Sequence, residues 1–308
     1  MVAGAPRVDL RGTFLPVTTP FDPVTGDVDV VAFRANLRHW FQSPIAGILI
    51  GGTTGEGVLL DDPELVSLLE AAADVMPAEA LLIAGTGTES TRRTIKLSRA
   101  AAAAGADVAL VSPPAFFKGA MTPEALARHY RAVADASPIP VMVYQVPLRM
   151  STVDLPTGLV AELSRHGNIA GIKDSRGKLD LVGELVEQCQ EGFHVLVGNG
   201  ALLYAALETG AVGGVVAVGL LATAAAAGIP AAYRAGRKAD AGRMQERIAP
   251  LHQQIVSEMG ISGVKAALDV LGLHGGVPRP PLAPSSAERV EAIRRILGTA
   301  ELLPHARV

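Results

Sequence analysis

Residues 141–173 read VMVYQVPLRMSTVDLPTGLVAELSRHGNIAGIK. An apolar run (VMVYQ, 141–145) is followed by an amphipathic stretch (DLPTGLVAELSRH, 154–166) and a second apolar run (IAGIK, 169–173). Neither run alternates polar with apolar residues, which is the pattern of parallel strands covered on both faces, and the stretch between them has helical period. The same unit repeats outward in both directions. Toward the N-terminus lie FLPVTT (14–19), GILI (47–50), LLIAG (81–85) and VALVS (108–112), and toward the C-terminus HVLVG (194–198) and GVVAV (214–218). Helical segments such as VDVVAFRANLRHWFQ and TPEALARHYRAVADA separate them. Eight successive strand and helix units favour an α/β fold closed as a (β/α)8 TIM barrel over an open doubly wound sheet, because such barrels take about 250 residues.

The expected organisation is a barrel whose strands and most helices fall within 1–220, and a segment 221–308 that holds the last barrel helix and a C-terminal helical extension. Proline-rich VPRPPLAPSS (277–286) precedes the final helical pattern. Ser90, Thr122, Asp61 with Asp62, and Ser285 with Ser286 stand where helices should begin, with proline or an acid in the first turn.

Of the 308 residues, 49% are apolar and 19% charged, enough for a sizeable core. The 27 basic and 30 acidic residues leave a net charge of −3, so there is no basic field to hold nucleic acid, and a small-molecule partner is expected. The one cysteine, Cys189, rules out an intrachain disulfide and reads as a small buried residue on a helix. Arg7, Asp9 and Arg11 interrupt the N-terminal stretch where a signal peptide needs an apolar run, so a cytoplasmic location is expected. Thr209 to Tyr233 carries no charge, but its glycines and Pro230 mark a buried strand, a turn and a core helix rather than a membrane span.

In such a barrel the site lies at the C-terminal ends of the strands. Lys173 closes its strand, whereas Lys96, Lys118, Lys178, Lys238 and Lys265 fall in helices or loops and read as solvated charges. An ammonium at the end of an apolar strand must be paired, for example with the adjacent Asp174, or partly neutralised by desolvation, and a free amine there can attack a carbonyl. GGTTGEG (51–57) follows the second strand. Its glycines allow backbone N–H groups to converge on an anion, with Thr53 and Thr54 adding hydroxyls; the alternative is a plain glycine-rich turn. Of the four tyrosines, Tyr130, Tyr204 and Tyr233 sit in helical patterns and Tyr144 alone ends a strand, where its phenol can relay a proton. Arg149, just beyond it, could grip a carboxylate with two N–H groups or be a surface charge.

Seven dispersed histidines offer no metal pattern, and GTGTES (85–90) and GNGALL (198–203) lack the last glycine of a dinucleotide fingerprint. The glycines at 198–200 and 213–214 stand where barrels often hold phosphate, but no Lys or Arg flanks them, and they read as tight loops around a pocket.

FLPVTTPF, GGTTGE, YQVP and GIKDS, together with the C-terminal helices, resemble the dihydrodipicolinate synthase and N-acetylneuraminate lyase family of class I aldolases across almost the whole chain. The resemblance implies that Lys173 attacks the keto carbon of pyruvate, that Thr53 and Thr54 hold its carboxylate, and that Tyr144 moves protons. It also implies that Gly52, Arg149 and Val216 belong to the substrate site. No metal or organic cofactor is implied, and the partners are pyruvate with an aldehyde or a 2-oxo acid. A homo-oligomer, dimer or tetramer, is expected.

Two departures bear on the substrate. Phe116 and Phe117 of SPPAFFKGAM stand where the family's synthases carry a tyrosine that reaches a neighbouring subunit's site, and a phenyl ring cannot relay a proton. Arg149 instead matches the synthase arginine that holds aspartate semialdehyde. AFFKGAM, GIKDS and GGVPRPPL resemble the 4-hydroxy-2-oxoglutarate aldolases, although those usually carry Ser-Asn where Thr53-Thr54 stand. The expected function is therefore a dihydrodipicolinate synthase-like Schiff-base lyase. The alternatives are a 4-hydroxy-2-oxoglutarate or related aldolase or dehydratase and, from a different class, a non-catalytic ligand-binding barrel.

Overall fold

The eight apolar runs form parallel strands, each hydrogen-bonded to the next, and the eighth pairs with the first to close the ring. The computed structural model describes residues 8–303; Arg7, named above, and His305, one of the seven histidines, lie outside them. The strands are β1 (Gly12–Pro16), β2 (Gly47–Ile50), β3 (Leu81–Gly85), β4 (Val108–Val111), β5 (Val141–Gln145), β6 (Ile169–Asp174), β7 (His194–Val197) and β8 (Gly213–Val215). Between them run α1 (Val30–Trp40), α2 (Asp62–Ala73), α3 (Thr91–Ala103), α4 (Pro123–Ala136), α5 (Thr157–Leu163), α6 (Leu179–Gln188) and α7 (Leu203–Glu208). After β8 come α8 (Thr223–Arg234), α9 (Lys238–Leu251), α10 (Gly260–Val270) and α11 (Ala287–Thr299), with a π-helical turn at His252–Ser257 between α9 and α10.

The period of two along each strand divides the core into two layers. Phe14, Leu49, Ile83, Leu110, Met142, Leu196 and Val215 fill the barrel interior. Their strand neighbours, such as Leu15, Ile48, Val143, Ile172 and Val216, pack outward against the helices.

The helix starts follow the sequence signals. Ser90, Thr122 and Ser286 accept from the backbone N–H of Arg93, Ala125 and Arg289, and Asp61 forms a capping box with Glu64. The charge-free stretch folds into β8, a short 3-10 turn (Ala217–Leu220) and α8, and among the described residues no helix is long and apolar enough to cross a membrane. Pro230 inside α8 has no N–H for the carbonyl of Ala226, and the Thr13 hydroxyl donates to that oxygen instead at 2.7 Å.

Five strands end at a different residue from their sequence reading, β4, β6 and β7 by one position and β1 and β8 by three. β1 begins at Gly12 and ends at Pro16, short of Thr19, and β8 ends at Val215 instead of Val218. A ring strand ends where its neighbours stop pairing with it. β7 stops at Val197, which leaves β8 partners for Gly213 and Gly214 on that side. Cys189 caps the end of α6, half-buried, and burial pushes its thiol up to about 11.

Candidate active site

At the C-terminal ends of the strands a cavity of about 330 Å³ opens, lined by residues from β1, β5, β6 and β8, by the loops after β2, β5, β6 and β7, and by the π-helical turn and α10. Its polar lining includes Thr53, Thr54, Tyr144, Arg149, Lys173, Ser175, Arg176, Lys178, Asn199 and His252. No aspartate or glutamate is among the described lining residues, so these present cationic groups to whatever enters.

The β5–β6 register sets Tyr144 beside Lys173. Lys173 is buried, its Nζ 4.4 Å from the centre of the Tyr144 ring. The expected alternative, a pairing with Asp174, is not what the fold builds. The Asp174 carboxylate turns to Arg176, whose guanidinium it meets at 2.5 and 2.8 Å, and Arg176 also reaches Asp154 at 3.1 Å. Among the described residues no carboxylate lies within ion-pair distance of Lys173. The Tyr144 hydroxyl lies 3.1 Å from Thr53 Oγ1, which joins the β2 loop to the β5 and β6 ends.

GGTTGEG folds as a tight knot. Gly55 and Gly57 donate to the carbonyl of Gly52, and Glu56 donates to that of Thr53. A Cβ on Gly57 would stand 1.9 Å from the Gly51 carbonyl oxygen, so only glycine permits this approach. These bonds consume the later N–H groups. Those of Thr53 and Thr54 meet no acceptor among the described residues, the condition for an anion nest. Gly52 itself shapes the turn and does not line the cavity.

Arg149 does line the cavity, at its exposed rim, and its Nη1 donates to the carbonyl of Ser257 in the π-helical turn at 3.3 Å. Val216 requires a correction. By strand alternation its side chain faces the outer layer, so its neighbours Val215 and Ala217 reach the cavity instead. Phe116 and Phe117 sit on the surface, 80% and 70% exposed, edge to face with each other. Their loop is held by Glu89, which accepts from the N–H groups of Ala115 and Phe116.

Lys265 requires the other correction. It is not a solvated charge: it is fully buried on the inner face of α10 and pairs with Glu56 at 2.7 Å. Its neighbours Val264, Ala267 and Leu268 are also buried, so a lysine on an apolar helix face was the available signal. His252 was not singled out either. It lines the cavity from the π-helical turn, and burial, aided by the Arg149 charge, holds its ring at a pKa of about 4. Among the described residues, no three or more His, Cys, Asp or Glu side chains gather as a metal site.

The sequence matches the Dihydrodipicolinate synthetase family over residues 9–300. The chain belongs to that family. Among its relatives are a 4-hydroxy-tetrahydrodipicolinate synthase of Exiguobacterium sp., 35% identical over 90% of this chain and 93% of the relative, and a probable mitochondrial 4-hydroxy-2-oxoglutarate aldolase of Emericella nidulans, 34% identical over 94% of each. The chloride-inhibited dihydrodipicolinate synthase from Acinetobacter baumannii complexed with pyruvate superposes with a TM-score of 0.90 at 29% identity, over 96% of this chain and 100% of that one. As a member of the dihydrodipicolinate synthetase family the chain is a lyase of the aldolase type, in a family whose typical mechanism is class I Schiff-base chemistry.

Proposed function

We propose that this lyase condenses pyruvate with aspartate semialdehyde, as a 4-hydroxy-tetrahydrodipicolinate synthase does, through an imine on Lys173. The observation that carries the reading is a buried lysine amine with no carboxylate partner among the described residues, facing Tyr144, whose hydroxyl reaches Thr53. In its free-base form the Lys173 amine adds to the keto carbon of pyruvate. The keto oxygen leaves as water, with protons passed through the Tyr144 hydroxyl. Thr53 and Thr54 hold the pyruvate carboxylate with their N–H groups and hydroxyls. The protonated imine draws electrons from the methyl group, which loses a proton and becomes the enamine that attacks the aldehyde. Arg149, at the rim of a cavity with no carboxylate among its described lining residues, suits the acidic end of aspartate semialdehyde. The scheme uses side chains and the two backbone N–H groups of the threonine turn.

A second reading within the same chemistry is cleavage of 4-hydroxy-2-oxoglutarate. It is favoured by Phe116 and Phe117, which supply no hydroxyl after β4, and by the aldolase relative. A barrel that binds ligand without turnover is the third. Borohydride reduction with pyruvate should attach one reduced pyruvate to Lys173. Turnover of pyruvate with aspartate semialdehyde, and of 4-hydroxy-2-oxoglutarate, then separates synthase, aldolase and binding protein. An unmodified lysine after reduction sinks the imine mechanism.

A further inference from the structure

The knot that presents Thr53 and Thr54 is held from behind by groups the proposed chemistry does not use. Glu56 lies inside it in a left-handed conformation (φ 57°), unusual for a residue other than glycine. Its side chain is fully buried. One carboxylate oxygen accepts from Lys265 Nζ at 2.7 Å and the other from the backbone N–H of Arg279 at 2.7 Å. Lys265 donates also to the carbonyl of Thr19 at 2.8 Å, and its Nζ stands 4.6 Å from the centre of the Phe21 ring. The Thr19 hydroxyl donates to the carbonyl of Gly55 at 2.7 Å, inside the same knot. The segment after β1, the β2 loop, α10 and the proline-rich segment therefore meet at one ion pair.

Burial makes that junction stiff. Removing one partner leaves an uncompensated charge where water cannot reach it, so neither group can drift from the other. Glu56 is three residues from Thr53, and its backbone N–H donates to the Thr53 carbonyl at 3.1 Å. A displacement of Glu56 is thus passed directly to the N–H groups that would meet the substrate. We propose that Lys265 and Glu56 are a positioning pair that sets the Thr53-Thr54 turn for the carboxylate of a 2-oxo acid. The inference rests on the reading that pyruvate's carboxylate binds that turn.

The pair acts on one substrate only, which separates it from a purely structural role. In E56Q and K265M the pyruvate concentration giving half-maximal borohydride-trapped adduct, read by intact mass, should rise about tenfold or more, with KM for the second substrate within about twofold of wild type. Because a lone buried charge can prevent folding, the double variant E56Q/K265M, which removes both charges, is measured alongside. It should fold, by native elution and circular dichroism, and still bind pyruvate about tenfold more weakly. A lowered Tm with half-saturation inside about twofold of wild type, in any folded variant, overturns the positioning role. A wild-type chain that forms no adduct overturns the imine reading and this pair with it, whereas a normal wild-type adduct with unaltered variants overturns the pair alone.

Discussion

Tyr144 and Lys173 are register partners across adjacent strands, and the lysine Nζ lies 4.4 Å from the centre of the tyrosine ring. The backbone ladder enforces this pairing, so the ring under the amine can be kept while its hydroxyl is removed. Y144F should fold with an unchanged Tm and lose about 10²- to 10⁴-fold in kcat/KM, the span typical of a lost proton relay. Activity within a few-fold of wild type would remove Tyr144 from the proton path.

Gly198 stands against the same lysine. A Cβ there would lie 1.9 Å from Ser175 Oγ and 3.3 Å from Lys173 Cε. G198A should slow imine formation with pyruvate by about tenfold or more, because overpacking of this kind costs about 1–3 kcal/mol. Adding S175G removes both the hydroxyl and the Ser175 Cβ that would stand at 2.9 Å, and the double variant should recover most of the rate. Single and double variants that trap pyruvate equally fast would contradict this account.

In the proposed scheme Arg149 addresses the other substrate. R149A should raise KM for a carboxylate-bearing aldehyde about ten- to a hundredfold, the worth of one or two charged hydrogen bonds, while pyruvate alone still forms its adduct. If pyruvate trapping falls as steeply as turnover, Arg149 serves the first substrate or the fold of the β5 loop, which it ties to Ser257.

Stability should depend on pH through two rings. Burial holds His129, on the inner side of α4, and His252 at pKa values of about 4, so the folded protein keeps both neutral while the unfolded chain takes up protons below about 6.5. The unfolded state then binds more protons between those limits, and stability present at neutral pH is lost as pH falls from about 6.5 toward 4, on the order of 3 kcal/mol per ring. Urea unfolding at pH 7 and pH 4.5 reads the difference. The H129Q variant should flatten the dependence, and an unchanged slope would exclude that ring as a source.

Much of the candidate site was legible in the sequence because it lies at strand ends. A lysine closing an apolar run, one tyrosine outside the helical patterns and a threonine pair among glycines each violate a local rule that burial would otherwise enforce. The residues behind them were less visible. Lys265 looked like an ordinary helical lysine, since its counter-charge lies 209 positions away in sequence. His252 is drawn to the cavity by a π-helical turn that no spacing announced. Asp174 was adjacent to Lys173 in sequence yet pairs with Arg176, because alternate residues of a strand point to opposite faces.

The sequence by itself determined the strand count, the closed barrel and the lysine, tyrosine and threonines at its mouth, because periodicity and residue type are local and survive without the fold. Only the tertiary structure decided which partners those groups face. It turned Val216 outward and Val215 inward, turned the Asp174 carboxylate to Arg176 and away from Lys173, and brought Glu56 to Lys265. These outcomes depend on register around a closed ring and on contacts between distant segments, where a shift of one residue exchanges one face for the other.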